Sequence, residues 1–87
     1  MRPRSYEYVY LTCNFYMPIP KGISNKKRGE WHELKPHVKR PDLDNLVKTV
    51  CDALNGIAFE DDSALVQIVA SKIYSENPRT EITLEYF

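Results

Sequence analysis

The feature that most constrains this chain is the apolar pattern that begins at residue 43. Apolar side chains recur there at intervals of three and four residues, which places them on one face of an α-helix. The residues of this stripe are Leu43, Leu46, Val47, Val50, Cys51 and Leu54. Asp42 or Asp44 suits the N-cap position. Asn55 and Gly56 supply a C-terminal stop, so the pattern predicts one amphipathic helix with an apolar face to bury.

Segments that alternate with period two flank this helix and predict a sheet. Residues 6–17, "YEYVYLTCNFYM", predict a first strand that Pro18 and Pro20 bring to an end. Residues 64–75, "ALVQIVASKIYS", predict a second strand, and residues 80–87, "TEITLEYF", a third strand antiparallel to the second. The order predicts an α+β fold in a single domain, residues 1–87: a small single sheet of about three or more strands with one main helix packed on one face.

Composition excludes several classes of protein. No run of about 18 apolar residues occurs, which argues against a membrane span and favours a cytoplasmic protein. Cys13 and Cys51 are far apart and form no CxxC motif, so we expect two small apolar side chains rather than a zinc site or a disulfide scaffold.

Charge is segregated along a chain whose formal net charge is zero. Residues 21–40 contain seven Lys or Arg residues against two Glu, whereas residues 42–62 contain six Asp or Glu residues against one Lys. A stretch of this length without predicted secondary structure is uncommon between two elements and is usually either functional or mobile. The arrangement suits a polyanion held beside a cation-binding pocket.

The motif "RPDLDN" at residues 40–45 admits two interpretations. One is helix capping, which a single aspartate at the helix start would satisfy. The other is a cation site, because a second carboxylate one residue away adds repulsion that a bound cation would relieve. An EF-hand is excluded, since Val47 and Ala53 stand where that motif requires glycine and glutamate.

Further residues favour the cation site. Lys48 follows Asp44 by four residues on the polar side of the helix, where the alternative interpretation is an ordinary salt bridge. The segment "FEDDS" adds Asp61 and Asp62, which taken alone also fit an acidic surface turn. Aspartates from two segments, a lysine and a basic arm together fit metal-dependent phosphodiester hydrolysis, with Mg²⁺ as the ion that prefers carboxylate oxygens.

Residues 39–87 resemble the RusA-type Holliday junction resolvases, which are common in phages and prophages. The similarity lies in P-D-x-D-N-x-x-K-x-x-x-D-A-L-N-G followed by D-D-S. The resemblance implies a RusA-like, homodimeric, Mg²⁺-dependent and structure-selective endodeoxyribonuclease that nicks four-way DNA junctions in recombination and repair.

The motif also implies roles for individual residues. Asp42, Asp44 and Asp62 would be catalytic and hold the metal, with oxygens that converge on one ion, and Lys48 would be the catalytic cation. Asp61 is the alternative third ligand, and Asp52 is assigned to structure, as a partner of Lys48. The DNA-binding residues of the basic arm are expected to be Lys26, Lys27, Arg28, Lys39 and Arg40.

One departure from the family pattern leaves alternatives open. Family members usually have another strand ahead of the segment that begins at "RPRS", so the chain is expected to lack an N-terminal strand. The alternatives are an inactive prophage remnant of the same fold and a non-catalytic nucleic-acid-binding module. In the latter, Tyr8, Tyr10 and Tyr16 would stack bases on an open sheet face.

Overall fold

One helix lies on one face of a three-stranded sheet in this computed structural model, which describes residues 6–20 and 36–87. The elements are β1 (Val9–Pro18), α1 (Leu43–Leu54), a 3₁₀ turn (Asp62–Ala64), β2 (Leu65–Ser75) and β3 (Arg79–Tyr86). Within these residues, the α+β class and a helix packed on one face of a sheet are as predicted. Among the described residues, no helix is long and apolar enough to cross a membrane.

Strand β1 supplies the centre of the core because its side chains alternate between two environments. Val9, Leu11 and Cys13 are fully buried, and Phe15 is nearly so. The side chains between them lie on the opposite face and remain partly exposed. The alternation of apolar and polar residues in the sequence therefore corresponds to one buried face and one open face of the sheet.

Helix α1 packs its apolar stripe onto the buried face of β1. All six residues of the predicted stripe contact the cluster of Leu11, Cys13 and Phe15. The helix ends where Asn55 N–H donates to the Cys51 carbonyl oxygen at 3.0 Å, and Gly56 follows with a φ of 80°, a conformation that favours glycine. The predicted helix and its stop are confirmed.

Both cysteines lie in or against this core and form no disulfide within the described part of the chain. Cys13 is buried and Cys51 is partly buried. Burial, with a smaller contribution from the neighbouring Cys51 thiol, raises the pKa of Cys13 above its usual value.

The order of strands in the sheet is β2-β1-β3. Strand β1 pairs parallel with β2 and antiparallel with β3. The third strand thus runs antiparallel to the second, as predicted, but the two do not pair because β1 lies between them. Parallel pairing of β1 and β2 requires a long crossover connection, and the segment that contains α1 provides it.

The helix runs opposite to the parallel strands, which fixes the position of each of its ends. Leu43, at its start, contacts only the cluster around Phe15, whereas Leu54, at its end, also contacts the cluster of Val9, Ala58 and Phe59. Twelve helical residues span about 18 Å. The start of α1 therefore lies at the carboxyl end of β1, and the residues after α1 lie at its amino end.

Two hydrogen bonds to tyrosine side chains hold the segment that follows α1. The hydroxyl of Tyr86 donates to the Ala58 carbonyl oxygen at 2.7 Å, and the backbone N–H of Glu60 donates to the hydroxyl of Tyr6 at 2.6 Å. Phe59 inserts between these anchors and is fully buried. This segment closes the amino end of the core.

Substitution of Phe59 by alanine should remove the side chain that closes this end. We expect the free energy of unfolding to fall by about 3–5 kcal/mol, as for other buried Phe→Ala changes. Ile57→Ala is the matched control, since Ile57 is 72% exposed and its loss should cost less than about 0.5 kcal/mol. Urea denaturation of both variants measures the difference, and equal losses would contradict the assigned core.

Candidate active site

Asp42 occupies the N-cap position of α1 but does not use its side chain to cap the helix. Its backbone is extended (φ −69°, ψ 143°), and its carboxylate makes no capping hydrogen bond. The helix begins instead with the backbone N–H of Leu46, which donates to the Asp42 carbonyl oxygen at 3.2 Å. Capping therefore does not account for the carboxylate of Asp42.

Three charged side chains follow one another along the exposed face of α1, opposite the apolar stripe. Asp44, Lys48 and Asp52 are all exposed and spaced by four residues. Within the described part of the chain, none of them forms an ion pair, so neither the Asp44–Lys48 salt bridge nor the Asp52–Lys48 pairing is realised. Exposed pairs of this kind are worth little, and the side chains are left available for other partners.

The chain reaches Asp42 along the outer edge of β2. Pro36 forms an antiparallel bridge with Ile73, and the backbone N–H of His37 donates to the Lys72 carbonyl oxygen at 2.9 Å. Lys39 and Arg40 then precede the cis Arg40–Pro41 peptide bond and are exposed. Two of the five expected DNA-binding cations thus lie directly beside the helix start.

The remaining cations of the basic arm cannot be placed in the same way. Lys26, Lys27 and Arg28 lie outside the described residues, so their expected role stays a prediction.

Asp61 and Asp62 lie at the other end of the core. The turn Asp62–Ala64 directly precedes Leu65, which pairs with Val9 at the amino end of β1. Ser63 Oγ donates to Asp61 Oδ2 at 3.0 Å, so the Asp61 carboxylate accepts a hydrogen bond within this turn. The structure describes the backbone of Asp62 but not its side chain.

Backbone geometry separates the two acidic segments within one copy of the chain. The seven residue-to-residue steps along β2 from Leu65 to Lys72 span about 23 Å. Lys72 lies beside Pro41, whereas the Asp62 turn adjoins Leu65. Carboxylates that share one Mg²⁺ must each reach it at about 2.1 Å. The backbone of one copy therefore does not bring these segments to one ion.

The donor atoms at the helix start nevertheless fit a hard divalent cation. Mg²⁺ is commonly bound by one or two carboxylates, several waters and a substrate phosphate. Asp42 and Asp44 offer two exposed carboxylates without another partner among the described residues. In that part of the chain, no three His, Cys, Asp or Glu side chains cluster as metal ligands.

Lys72 and His37 are the contacts near this site that the sequence did not reveal. In the sequence, Lys72 is one residue of a predicted strand, and His37 belongs to a basic segment; neither pattern indicates a contact near the site. In the structure, Lys72 Nζ donates to the carbonyl oxygens of Lys39 and Pro41. The His37 ring packs against Tyr74 with ring centroids 4.7 Å apart.

The sequence comparisons can now be set beside this geometry. The model of the Endodeoxyribonuclease RusA family matches residues 1–85. The chain belongs to the RusA endodeoxyribonuclease family. The resemblance carried by the P-D-x-D-N motif is thereby confirmed.

Two curated relatives of this RusA-family chain are similar over most of its length. It is 44% identical over 80 residues to the "Uncharacterized protein YqaN" of Bacillus subtilis strain 168, covering 87% of the chain and 56% of the relative. It is 40% identical over 75 residues to the "Crossover junction endodeoxyribonuclease rusA" of Lactococcus phage r1t, covering 85% and 51%. The chain spans about half the length of these relatives. No solved structure matches it.

His37 gives the approach to the site a dependence on pH. Burial, reinforced by the nearby Lys72 ammonium, lowers the pKa of His37 below its ordinary 6.5. Its Nδ1 is buried without a hydrogen-bond partner among the described residues. The folded chain therefore favours the neutral ring, and the stability that this gives is present above pH 6.5 and is lost as pH falls through the lowered value.

His37→Phe should abolish this part of the pH dependence while keeping a ring against Tyr74. We expect the free energy of unfolding to fall more steeply for the wild-type chain than for the variant as pH drops from about 7.5 to about 5. Urea denaturation across this range measures both slopes. Parallel slopes would show that His37 is not held neutral.

Proposed function

We propose that this chain is a Mg²⁺-dependent, structure-selective endodeoxyribonuclease that cuts four-way DNA junctions as a homodimer, in recombination and repair. The observation that carries the proposal is the family motif at the start of α1. Its two carboxylates and its lysine are exposed there and make no ion pair among the described residues. The relative from Lactococcus phage r1t is named as a crossover junction endodeoxyribonuclease, which supports the same substrate.

Asp42 and Asp44 would hold the cation at the amino end of α1. When bound, Mg²⁺ lowers the pKa of a water molecule and draws charge from the attacked phosphate. Both carboxylates are exposed to solvent, where a DNA backbone can approach them. The repulsion between the two carboxylates lowers the stability of the metal-free chain, and binding of the ion would relieve it.

Lys48 would stabilise the negative charge that builds up on the phosphate and on the leaving oxygen. It lies one helical turn after Asp44 on the same exposed face. A positive charge placed where negative charge develops lowers the barrier without reorganisation. Lys39 and Arg40, with Lys26, Lys27 and Arg28, would hold the flanking phosphates, so binding should weaken steeply with salt.

The third acidic ligand, Asp62, would come from the second copy of the chain. What supports this arrangement is the backbone separation between the two acidic segments within one copy. A two-fold axis that brings the helix start of one copy to the Asp62 turn of the other creates two equal composite sites. Two related sites at a fixed spacing suit a substrate that must be cut twice, symmetrically.

A non-catalytic nucleic-acid-binding module is the second candidate, and one observation favours it. Tyr8 and Phe87 stack with centroids 5.0 Å apart on the sheet face opposite α1, and Tyr10 packs against Phe87 at 4.7 Å. Such a surface can accept a base. Tyr16, however, is occupied by Arg79, whose guanidinium carbon lies 3.8 Å from the ring centroid. An inactive remnant of the same fold would also bind DNA without cutting it.

Asp44→Asn should abolish cleavage of a synthetic four-way junction in Mg²⁺. Loss of an ion that is worth several kcal/mol in the transition state lowers the rate by about a hundredfold or more. Asp52→Asn is the matched control, because it makes the same chemical change two turns along the same exposed face and should leave the rate unchanged.

The same assay separates the candidates. Cleavage that survives Asp44→Asn would remove this residue from the mechanism. Junction binding by the unaltered chain without cleavage, in Mg²⁺ and in Mn²⁺, would instead favour the binding module or the inactive remnant.

Composite sites predict a specific pattern of complementation. Co-expressed Asp44→Asn and Asp62→Asn chains should recover about a quarter of the unaltered nicking rate, since half of random dimers are mixed and each mixed dimer holds one intact site. The crossed control pairs the double variant Asp44→Asn/Asp62→Asn with the unaltered chain. Its mixed dimers should be inactive, because each composite site then carries one lesion.

The opposite pattern identifies sites built within single chains. In that case the two single variants would not complement each other, and the mixed dimers of the crossed control would retain one active site. Purification through two different affinity tags isolates the mixed dimers for measurement.

A further inference from the structure

Lys72 is half-buried and contacts the segment that leads into the candidate site. It lies on β2 opposite Phe15 of β1 and therefore faces the side of the sheet covered by α1. Its ammonium donates hydrogen bonds to two backbone carbonyl oxygens, that of Lys39 and that of Pro41, the latter at 2.6 Å. One side chain thus joins the sheet to the two residues that flank Arg40.

The same residue also holds the segment through its backbone. The Lys72 carbonyl oxygen accepts the hydrogen bond from His37 N–H at 2.9 Å. Hydrogen bonds from an ammonium to carbonyl oxygens are charge-assisted and stronger than neutral ones. Three hydrogen bonds therefore join residues 37–41 to Lys72, in addition to the packing of the His37 ring against Tyr74.

Asp42 directly follows the last of these attachments. Its carbonyl oxygen accepts the first backbone hydrogen bond of α1, from Leu46 N–H at 3.2 Å. The backbone from Lys39 to Asp42 is thus held by Lys72 on one side and by the first turn of the helix on the other. Little freedom remains for the Cα position of Asp42, although its carboxylate is exposed.

We propose that Lys72 is a positioning residue that sets the carboxylate of Asp42 and the cation of Arg40 in fixed register for one DNA phosphate and its metal. This inference rests on the proposed nuclease function. Two of the three N–H donors of the Lys72 ammonium are directed to the two carbonyl oxygens, so the proposal assigns Lys72 no contact with the metal or with DNA. It acts through the backbone on which both functional side chains stand.

The consequence is that metal affinity and helix-start order depend on the same side chain. Supporting residues outside the ligand set typically change metal affinity by about 10-fold to 100-fold when they are removed. A lysine with a purely structural role would lower overall stability without this selective loss. Metal binding and local hydrogen exchange, measured on folded protein, therefore distinguish the two roles.

The test compares Lys72→Met with Arg79→Met. Each removes one cation from a strand of the same sheet, but Arg79 pairs with Tyr16 and lies on the face away from α1. Mn²⁺, which takes the same oxygen ligands as Mg²⁺, is titrated into each full-length variant and followed by electron paramagnetic resonance. Amide exchange of Leu46, at the helix start, and of Asn55, at its end, is measured in parallel.

We expect the Kd for Mn²⁺ to rise about tenfold in Lys72→Met and to stay unchanged in Arg79→Met. The Leu46 amide should exchange faster in Lys72→Met, whereas the Asn55 amide should not. Lys72→Arg, which keeps a cation able to donate to both carbonyl oxygens, should restore most of the affinity and also tests the proposal if Lys72→Met does not fold. Equal Kd values in Lys72→Met, Arg79→Met and the unaltered chain would overturn the proposal.

Failure of the nuclease function is distinguishable from failure of this inference. If the unaltered chain binds no Mn²⁺ and cuts no junction, the proposed function falls and the role of Lys72 at a metal site falls with it. If the unaltered chain binds Mn²⁺ and cuts junctions while Lys72→Met does both equally well, only the positioning role is refuted.

Discussion

The burial of the α1 stripe against Leu11, Cys13 and Phe15 is the contact on which the rest of this structure depends. It ties the crossover segment to the central strand and so allows β1 and β2 to pair in parallel. It also fixes the direction of the helix, because Leu43 and Leu54 contact opposite ends of β1. The motif residues Asp42, Asp44 and Lys48 take their position from that direction.

The helix start combines a rigid backbone with uncommitted charges. The chain before Asp42 is attached to β2 through Lys72, while the carboxylates and Lys48 extend into solvent without ion pairs among the described residues. A chain optimised for stability alone would place a capping side chain or a salt bridge here. Unsatisfied charges on a well-held backbone are what a cation site requires, since the ion then finds its ligands already in place.

The separation of the two acidic segments within one copy is the reason that the proposed function uses a dimer. The start of α1 and the Asp62 turn adjoin opposite ends of the β1–β2 pair, so one copy would offer only part of the proposed ligand set. A second copy related by a two-fold axis can supply the missing part twice over.

Local periodicity and motif spacing were sufficient to predict much of this protein. The intervals in Leu43–Leu54 predicted α1, and the alternation along Val9–Pro18 predicted β1, because a side-chain period follows directly from backbone geometry. The P-D-x-D-N motif predicted the family in the same way, since its spacing is contained in one stretch of chain. The stop at Asn55 and Gly56 likewise depends on neighbours alone.

Only the tertiary structure decided how these elements are arranged. That β1 lies between β2 and β3, that Lys72 holds the carbonyl oxygens of Lys39 and Pro41, and that the Asp62 turn lies far from Asp42 all depend on contacts between distant parts of the chain. No local pattern encodes such contacts, because the free energy that selects them comes from burying surfaces that meet only after the chain has folded.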